Sequence, residues 1–451
     1  MISDAETQKL DVYVDEEKVA RLEWSAENGM YRFTYLPGVR PENAVSLTMG
    51  VKDDLSDWFM VIPPALQVNF PEGVLLETIY RIAGKAMKIA DDFDVLKLVG
   101  RNMVGRVRMV PEDMPLHLAV SDEQPVIPDA DALLKNPNSA EVFSQMITRF
   151  ATQTGLSGMM PKGFAEKVSE PKTGTFSFAC GDSIVKMETE EYLGVAAVEY
   201  ACLEMCRMAG IPTVEATLSD TGETLLVKRF DLREDGSRRG FEDFCALTGV
   251  ARTAKYNKDL TDVARNLALY CASPENRQAS LLQFFQTTVM NTALRNGDAH
   301  LKNFGMLYED PTKEPVLAPA YDIVCTTAWL PHDLPALPMN GLEGWPDAKA
   351  LRDFGKAFCQ LDDETVTKAF SDTLTALEAA PEMLDAMKEK YPDVTELDHL
   401  REVVSRSAEM LREDPMVREK GDEEEDALPN EEAALAELEM ASRADELSRI
   451  S

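Results

Sequence analysis

The stretch LRNGDAHLKNFGMLY, Leu294 to Tyr308, places an aspartate, a histidine, a lysine and an asparagine inside six residues, Asp298 to Asn303, directly ahead of an apolar run. A loop aspartate with an asparagine five residues on is an arrangement in which one carboxylate orients an attacking hydroxyl while the amide oxygen holds a magnesium ion. Lys302, between them, is suited to neutralising charge on a transferring phosphoryl group. A polar turn that ends a helix draws on the same residue types, because Asn, Gly and Asp all favour turns. The stretch alone does not separate these two readings.

If the chemistry is phosphoryl transfer, a second carboxylate has to follow, since metal ions at the phosphates need more ligands than one Asn supplies. The sequence offers two. Asp353 lies in Arg352-Asp353-Phe354-Gly355, which spells a familiar kinase triplet, but it sits fifty residues beyond Asn303 within DAKALRDFGKAFCQL, a helical pattern. Asp322 is nineteen residues beyond Asn303, and FGMLY and PVLAPAYD between them read as a hairpin around Asp310-Pro311-Thr312-Lys313. Such a hairpin returns the chain to the loop it left. Asp322 is therefore the expected metal ligand and Asp353 a helix-surface acid.

A nucleotide also requires a cation on a strand and an acid to hold it. Lys186 ends the strand pattern DSIVKM, and Glu199 follows thirteen residues later on a helix pattern. Ahead of them, Gly155-Leu-Ser157-Gly158-Met-Met-Pro-Lys162-Gly163 is a glycine-bearing loop able to turn backbone N–H groups towards phosphates, though it matches no standard phosphate-loop spacing. Between the strand-rich and helix-rich parts, Leu226 to Asp231 reads as a hinge, with backbone groups of Lys228 and Phe230 available to adenine and Arg229 and Tyr321 placed in the same nucleotide site. Glycine loop, strand lysine, helix glutamate, Asp-x4-Asn and hairpin aspartate fall in the order of a two-lobed kinase.

The 451 residues allow two or three domains, and 45% hydrophobic with 28% charged residues suits a largely globular chain. A net charge of −33, from 46 basic against 79 acidic side chains, argues against broad capture of nucleic acid or an anionic membrane. No apolar run reaches membrane-spanning length, and the start lacks the pattern of a secretion signal, so a cytoplasmic location is expected. The seven cysteines are scattered without a CxxC pair, as suits reduced core thiols.

The expected class is α+β, a two-lobed kinase-like fold with a small β-rich N-terminal subdomain and a helical C-terminal lobe. Residues 1–110 form the subdomain, opening with a hairpin, LDVYVDEEKVARLEW, that turns at Asp15-Glu16-Glu17, and containing a helical pattern over VLLETIYRIAGKAMKIA. Residues 111–138 are a linker, 139–232 the N-lobe, 233–412 the helical C-lobe and 413–451 an acidic helix-prone or disordered tail.

NGDAHLKN followed by LAPAYDI, together with SIVKM, LLVKRFD and VEYACLEMCRMAGI, resembles the HipA family of bacterial serine/threonine kinases, toxins of toxin–antitoxin pairs. LDVYVDEEKVARL, FPEGVLLETI and FDVLKLVGRNMVGRV extend the likeness into the N-terminal module. The resemblance implies ATP and Mg2+ as cofactors, Asp298 as catalytic base, and Asn303 and Asp322 as magnesium ligands. It further implies Lys186 on the nucleotide phosphates, Asp231 at the ribose side of the hinge, and His300 and Lys302 as site residues of the loop. Family members phosphorylate translation proteins, notably aminoacyl-tRNA synthetases, and bind a small helix-turn-helix antitoxin, HipB-like, so DNA is contacted only through that partner and no membrane is involved.

The chain departs from the family at Gly155, where a serine that becomes autophosphorylated is usual, and Ser157 is then the nearest candidate for that modification. A small-molecule phosphotransferase and a weakly active module that mainly binds an antitoxin are the alternative readings.

Overall fold

The computed structural model describes residues 8–25, 27–52, 56–68, 70–72, 76, 79–80, 91–117, 134–135, 176–189 and 191–417. The glycine loop with Gly155, Ser157, Gly158 and Lys162 lies outside the described residues. So do nearly all of the expected helix over 74–90, most of the linker and the acidic tail.

Strands β1 (Gln8–Val14) and β2 (Glu17–Ser25) form the expected hairpin. Asp15 takes a φ of +53° at its turn, a left-handed conformation that Asp tolerates better than most side chains. With β3 (Met30–Tyr35), β4 (Ser56–Phe59) and β5 (Val107–Pro111) they make a five-stranded antiparallel sheet in the order β4-β3-β2-β1-β5. The alternating Leu10, Val12 and Val14 face a core completed by α1 (Asp92–Val99), whose first turn is capped by the Asp91 carboxylate.

A four-stranded sheet follows, ordered β6-β7-β9-β8, from β6 (Phe176–Cys180), β7 (Ser183–Met187), β8 (Ala216–Leu218) and β9 (Thr224–Lys228). Strand period two divides its side chains between two bodies. Val185, Met187 and Leu226 point into the core of the N-terminal sheet, whereas Ile184, Leu225 and Val227 pack on the opposite side with α2 (Val195–Met208). That alternation puts Lys186 on the α2 side, where Glu199 sits. The helix begins at Val195, where Gly194 ahead of it has φ +76° and donates its N–H to Glu188 at 2.7 Å.

The larger body is built from α4 (Leu260–Tyr270), α5 (Pro274–Ala293), α6 (Ala348–Ala357), α7 (Asp363–Lys390) and α8 (Glu396–Arg412), preceded by the short helical turn α3 (Phe244–Leu247). Its core centres on α5, where Phe285 stacks against Phe370 of α7 at 6.1 Å. Six described cysteines are buried and free. The expected hairpin is present as β11 (Gly305–Tyr308) and β12 (Val316–Leu317), joined by a third strand the sequence pattern had not marked, β10 (Gly240–Asp243). Among the described residues no helix is long and apolar enough to cross a membrane.

Polar contacts weld the N-terminal module to the lobes. Glu242 of β10 is buried and accepts from Ser46 Oγ at 2.6 Å, Leu47 N–H at 2.7 Å and Tyr308 Oη at 2.7 Å. Asp231 is fully buried, with Arg229 donating to its two oxygens at 2.9 and 2.6 Å and the Gly105 N–H to Oδ2 at 2.7 Å. Gly105 makes that approach with φ +86°, a conformation open to glycine. Asp231→Ala strands a buried guanidinium, so denaturant unfolding should show a loss of about 3–5 kcal/mol. An unchanged midpoint would show the pair to be dispensable.

Candidate active site

Helix α5 delivers the loop 294–303. It ends at Leu294, and Arg295 turns left-handed at φ +55° with its guanidinium 5.0 Å from the centre of the Trp345 ring. Asn296 then closes the turn, its N–H on the Asn291 carbonyl and its side chain on Asn291 Oδ1, both at 2.9 Å. Gly297 donates to Thr326 Oγ1 at 2.8 Å, and a Cβ at Gly297 would stand 2.0 Å from Asp333 Oδ2. Only glycine fits where loop 294–303 and segment 326–334 approach so closely.

Asp298 follows, its side chain half open to solvent. Burial of the remainder raises its pKa above the ordinary aspartate value, with the nearby His300 opposing and Asp322 adding to the shift. Its Oδ1 accepts a hydrogen bond from Tyr256 Oη at 2.9 Å, while Oδ2 lies 3.9 Å from His300 Nε2. His300 is buried, and that burial lowers its pKa, which favours the neutral ring; its Nδ1 has no hydrogen-bond partner among the described residues. The main-chain N–H of His300 donates to Asn303 Oδ1 at 3.1 Å, which fixes the asparagine at the end of the loop.

Asn303 Nδ2 donates to Asp322 Oδ2 at 2.5 Å. The hairpin has returned the chain as its pattern implied: Ala320 exchanges backbone hydrogen bonds with Pro212 and Val214, and Asp322 emerges beside Asn303 with φ +59°. A non-glycine residue held in that left-handed region indicates a position fixed by its surroundings. From the other lobe Lys186 Nζ reaches both Glu199 Oε1 and Asp322 Oδ1, each at 2.5 Å. Burial works against the Lys186 charge, but the Asp322 and Glu199 carboxylates outweigh it and raise the pKa, so the ammonium persists. Burial likewise opposes the Asp322 charge, yet Lys186 holds its pKa below the usual value. Glu199, deeper and more desolvated, is pushed up to about 7.

Lys186, Glu199, Asp298, Asn303 and Asp322 are thus brought together. Other expected site residues are placed differently. Lys302 does not face the cleft: it donates to the Val68 carbonyl at 2.7 Å and pairs with Glu72 and Asp243 at 3.3 Å each. Its cation is consumed in tying the loop to the N-terminal module. Asp231 and Arg229 are spent on each other and on residues 103–105, so neither carboxylate nor guanidinium is free for ribose. The Lys228 side chain is exposed and pairs with Glu215 at 2.9 Å, while its N–H is taken by the Glu215 carbonyl at 2.8 Å. Phe230 packs against Tyr321 and Phe241 with ring centres 5.5 and 5.2 Å away, and Tyr321 Oη donates to the Lys302 carbonyl at 2.7 Å. Asp353 is an exposed acid of α6, paired with Lys349 at 2.5 Å.

The donor set fits magnesium. Asp322 offers hard carboxylate oxygens, and Asn303, whose Nδ2 faces Asp322, keeps a second lone pair on the Oδ1 that accepts the His300 N–H; magnesium at phosphates commonly takes one or two protein ligands with the remainder from phosphate and water.

A HipA-like C-terminal domain matches residues 154–389, more than half of the chain, and a HipA N-terminal domain matches residues 10–110. The chain belongs to the HipA family. All five residues gathered in the cleft lie inside the first HipA match, and the β-rich module is the second. Among curated proteins, the chain is similar to "Putative kinase Y4dM" of Sinorhizobium fredii, 27% identical over 318 residues, spanning 65% of this chain and 71% of that one. "Putative kinase Y4mE" of the same organism is 23% identical over 348 residues, spanning 72% and 79%. Among solved structures, HipA of Shewanella oneidensis MR-1, in a complex with HipB and operator DNA, superposes with a TM-score of 0.61 over 89% of this chain and 96% of that chain, at 18% identity. That likeness establishes the shared HipA fold.

Residues that the sequence did not mark are Tyr256, Lys255, Glu72 and Asp243. They come from a loop, from the end of β10 and from the N-terminal module, far from Asp298 in sequence and without local pattern. Lys302→Met should lower stability by about 3 kcal/mol, since it leaves the buried Asp243 without its cation and Glu72 with Lys255 alone. A denaturation midpoint equal to that of the wild type would return Lys302 to a role in the cleft.

Proposed function

We propose that the chain is a HipA-type serine/threonine protein kinase that uses ATP and Mg2+, divided as subdomain 1–110, linker 111–138, N-lobe 139–232, helical lobe 233–412 and tail 413–451. The observation that carries the reading is Lys186 held at 2.5 Å from both Glu199 and Asp322, with Asp298 and Asn303 on one loop beside them. A strand cation locked to a helix acid and a hairpin acid is the arrangement that receives nucleotide phosphates in two-lobed kinases.

In this reading the Lys186 ammonium binds phosphate oxygens and offsets their charge, while Glu199 keeps the ammonium directed at them. Asn303 and Asp322 would hold magnesium, which would supply positive charge against that of the phosphates. The Asp298 carboxylate accepts the hydrogen bond, and then the proton, of the attacking serine or threonine hydroxyl. The new bond joins that oxygen to the γ-phosphorus, the bond from γ-phosphorus to the bridging oxygen breaks, and ADP leaves with the electron pair.

The acceptor is a bacterial protein, with a translation component such as an aminoacyl-tRNA synthetase as the class that family resemblance suggests. The resulting role is that of a growth-inhibiting toxin in the cytoplasm, restrained by a small helix-turn-helix antitoxin. The relative from Shewanella oneidensis, solved with HipB and operator DNA, supports that partner. The net charge of −33 fits a protein that leaves DNA contact to a basic partner.

Incubation with labelled ATP and a bacterial lysate tests the reading. The wild type should label a protein on serine or threonine. Asp298→Asn should reduce transfer by about 10²- to 10⁴-fold and Asp322→Ala should abolish it, while Asp353→Ala leaves it unchanged. Label confined to small molecules, or full transfer by Asp298→Asn, would overturn it.

A further inference from the structure

The hydrogen bond that holds the Asp298 carboxylate comes from outside the catalytic loop. Tyr256 Oη donates to Asp298 Oδ1 at 2.9 Å from a position 42 residues upstream. The other oxygen, Oδ2, has His300 Nε2 at 3.9 Å, beyond hydrogen-bond reach. The carboxylate is therefore asymmetric, with one oxygen held and one open.

Tyr256 is itself fixed to the loop it serves. Its ring meets His300 edge-on, with centres 5.3 Å apart and planes at 71°. The Lys255 ammonium stands 5.2 Å from the ring centre, pairs with Glu72 at 2.7 Å, and the Lys255 carbonyl accepts the Leu301 N–H at 3.2 Å. Tyrosine and catalytic loop are thereby braced by the same contacts. Burial and the Asp298 charge push the Tyr256 pKa up, so the phenol stays a donor.

The final torsion of an aspartate is broad and roughly two-fold, so an unrestrained carboxylate rotates between orientations. A proton acceptor has to present one oxygen to the substrate hydroxyl within hydrogen-bond reach. We infer that Tyr256 is a positioning residue for phosphoryl transfer, holding Oδ1 of Asp298 so that Oδ2 is the oxygen that receives the acceptor's proton. The inference rests on the assignment of Asp298 as base. It adds a side chain from the segment between α3 and α4 to the machinery, one that acts through Asp298 and not on the nucleotide.

The experiment uses the full chain and water as the phosphoryl acceptor, with release of inorganic phosphate from Mg·ATP as the readout, in wild type, Tyr256→Phe, Asp298→Asn and the double variant. Loss of one charge-assisted hydrogen bond that orients the base should lower kcat about tenfold. The KM for ATP and the thermal midpoint should stay at wild-type values. In the Asp298→Asn background Tyr256→Phe should have no further effect, because the group it positions is gone. Four results overturn the inference: an unchanged kcat in Tyr256→Phe, a faster one that would make the phenol a plug on the base, a full further loss in the double variant, or phosphate found on Tyr256 by mass spectrometry of the wild type. If Asp298→Asn hydrolyses ATP at the wild-type rate, the base assignment fails and the inference falls with it. An inactive Asp298→Asn beside an unaffected Tyr256→Phe removes the positioning role alone.

Discussion

Lys186 suspended between Glu199 and Asp322 is the contact on which the cleft depends, because it is where strand β7, helix α2 and the hairpin that follows the loop 294–303 meet through one charge. Each element contributes by its own geometry. Strand alternation turns Lys186 away from the N-terminal core, α2 packs with Glu199 buried on the face of that strand, and the hairpin brings Asp322 back to Asn303. Three charges drawn out of water would be costly if any lacked a partner. Here two carboxyl groups surround one ammonium, which secures the cation beside the place where a nucleotide and its metal would enter.

The N-terminal module is part of the same construction. It supplies Val68 and Glu72 to Lys302, Glu72 to Lys255, Gly105 to Asp231, and Ser46 and Leu47 to Glu242. Arg252, in the segment that carries Tyr256, also pairs with Asp92 of α1 at 2.9 Å and lies 4.2 Å from the centre of the Phe70 ring. Both loops flanking Asp298 are therefore anchored on the module, and its removal would expose buried charges as well as apolar surface. This accounts for a β-rich module that contributes no side chain to the cleft itself among the described residues.

Much of this was legible in the sequence wherever a local pattern carried it. The Asp15 hairpin, the strand SIVKM, the helix with Glu199 and the hairpin delivering Asp322 all follow from period and turn chemistry, and the helical pattern around Asp353 separates it from Asn303 and Asp322. The same reading misplaced Lys302, Arg229 and Asp231, because a charged residue beside a catalytic motif looks alike whether it faces a ligand or a partner from another module. Their partners, Glu72, Asp243 and Gly105, stand at long sequence distance and carry no pattern. Strand β10 was missed for a related reason: four residues containing glycine and two acids have little strand tendency, and they pair because β11 and the buried Glu242 contacts hold them.

The proposed role of Asp322 as a magnesium ligand makes the most direct demand on experiment, since in that reading ATP binds as its magnesium complex through Asp322. Calorimetric titration of ATP with and without Mg2+ into the wild type and Asp322→Asn measures that demand. The account predicts that Mg2+ tightens binding to the wild type at least tenfold and that the difference disappears in the variant. Equal affinity with and without Mg2+ in the wild type would contradict it.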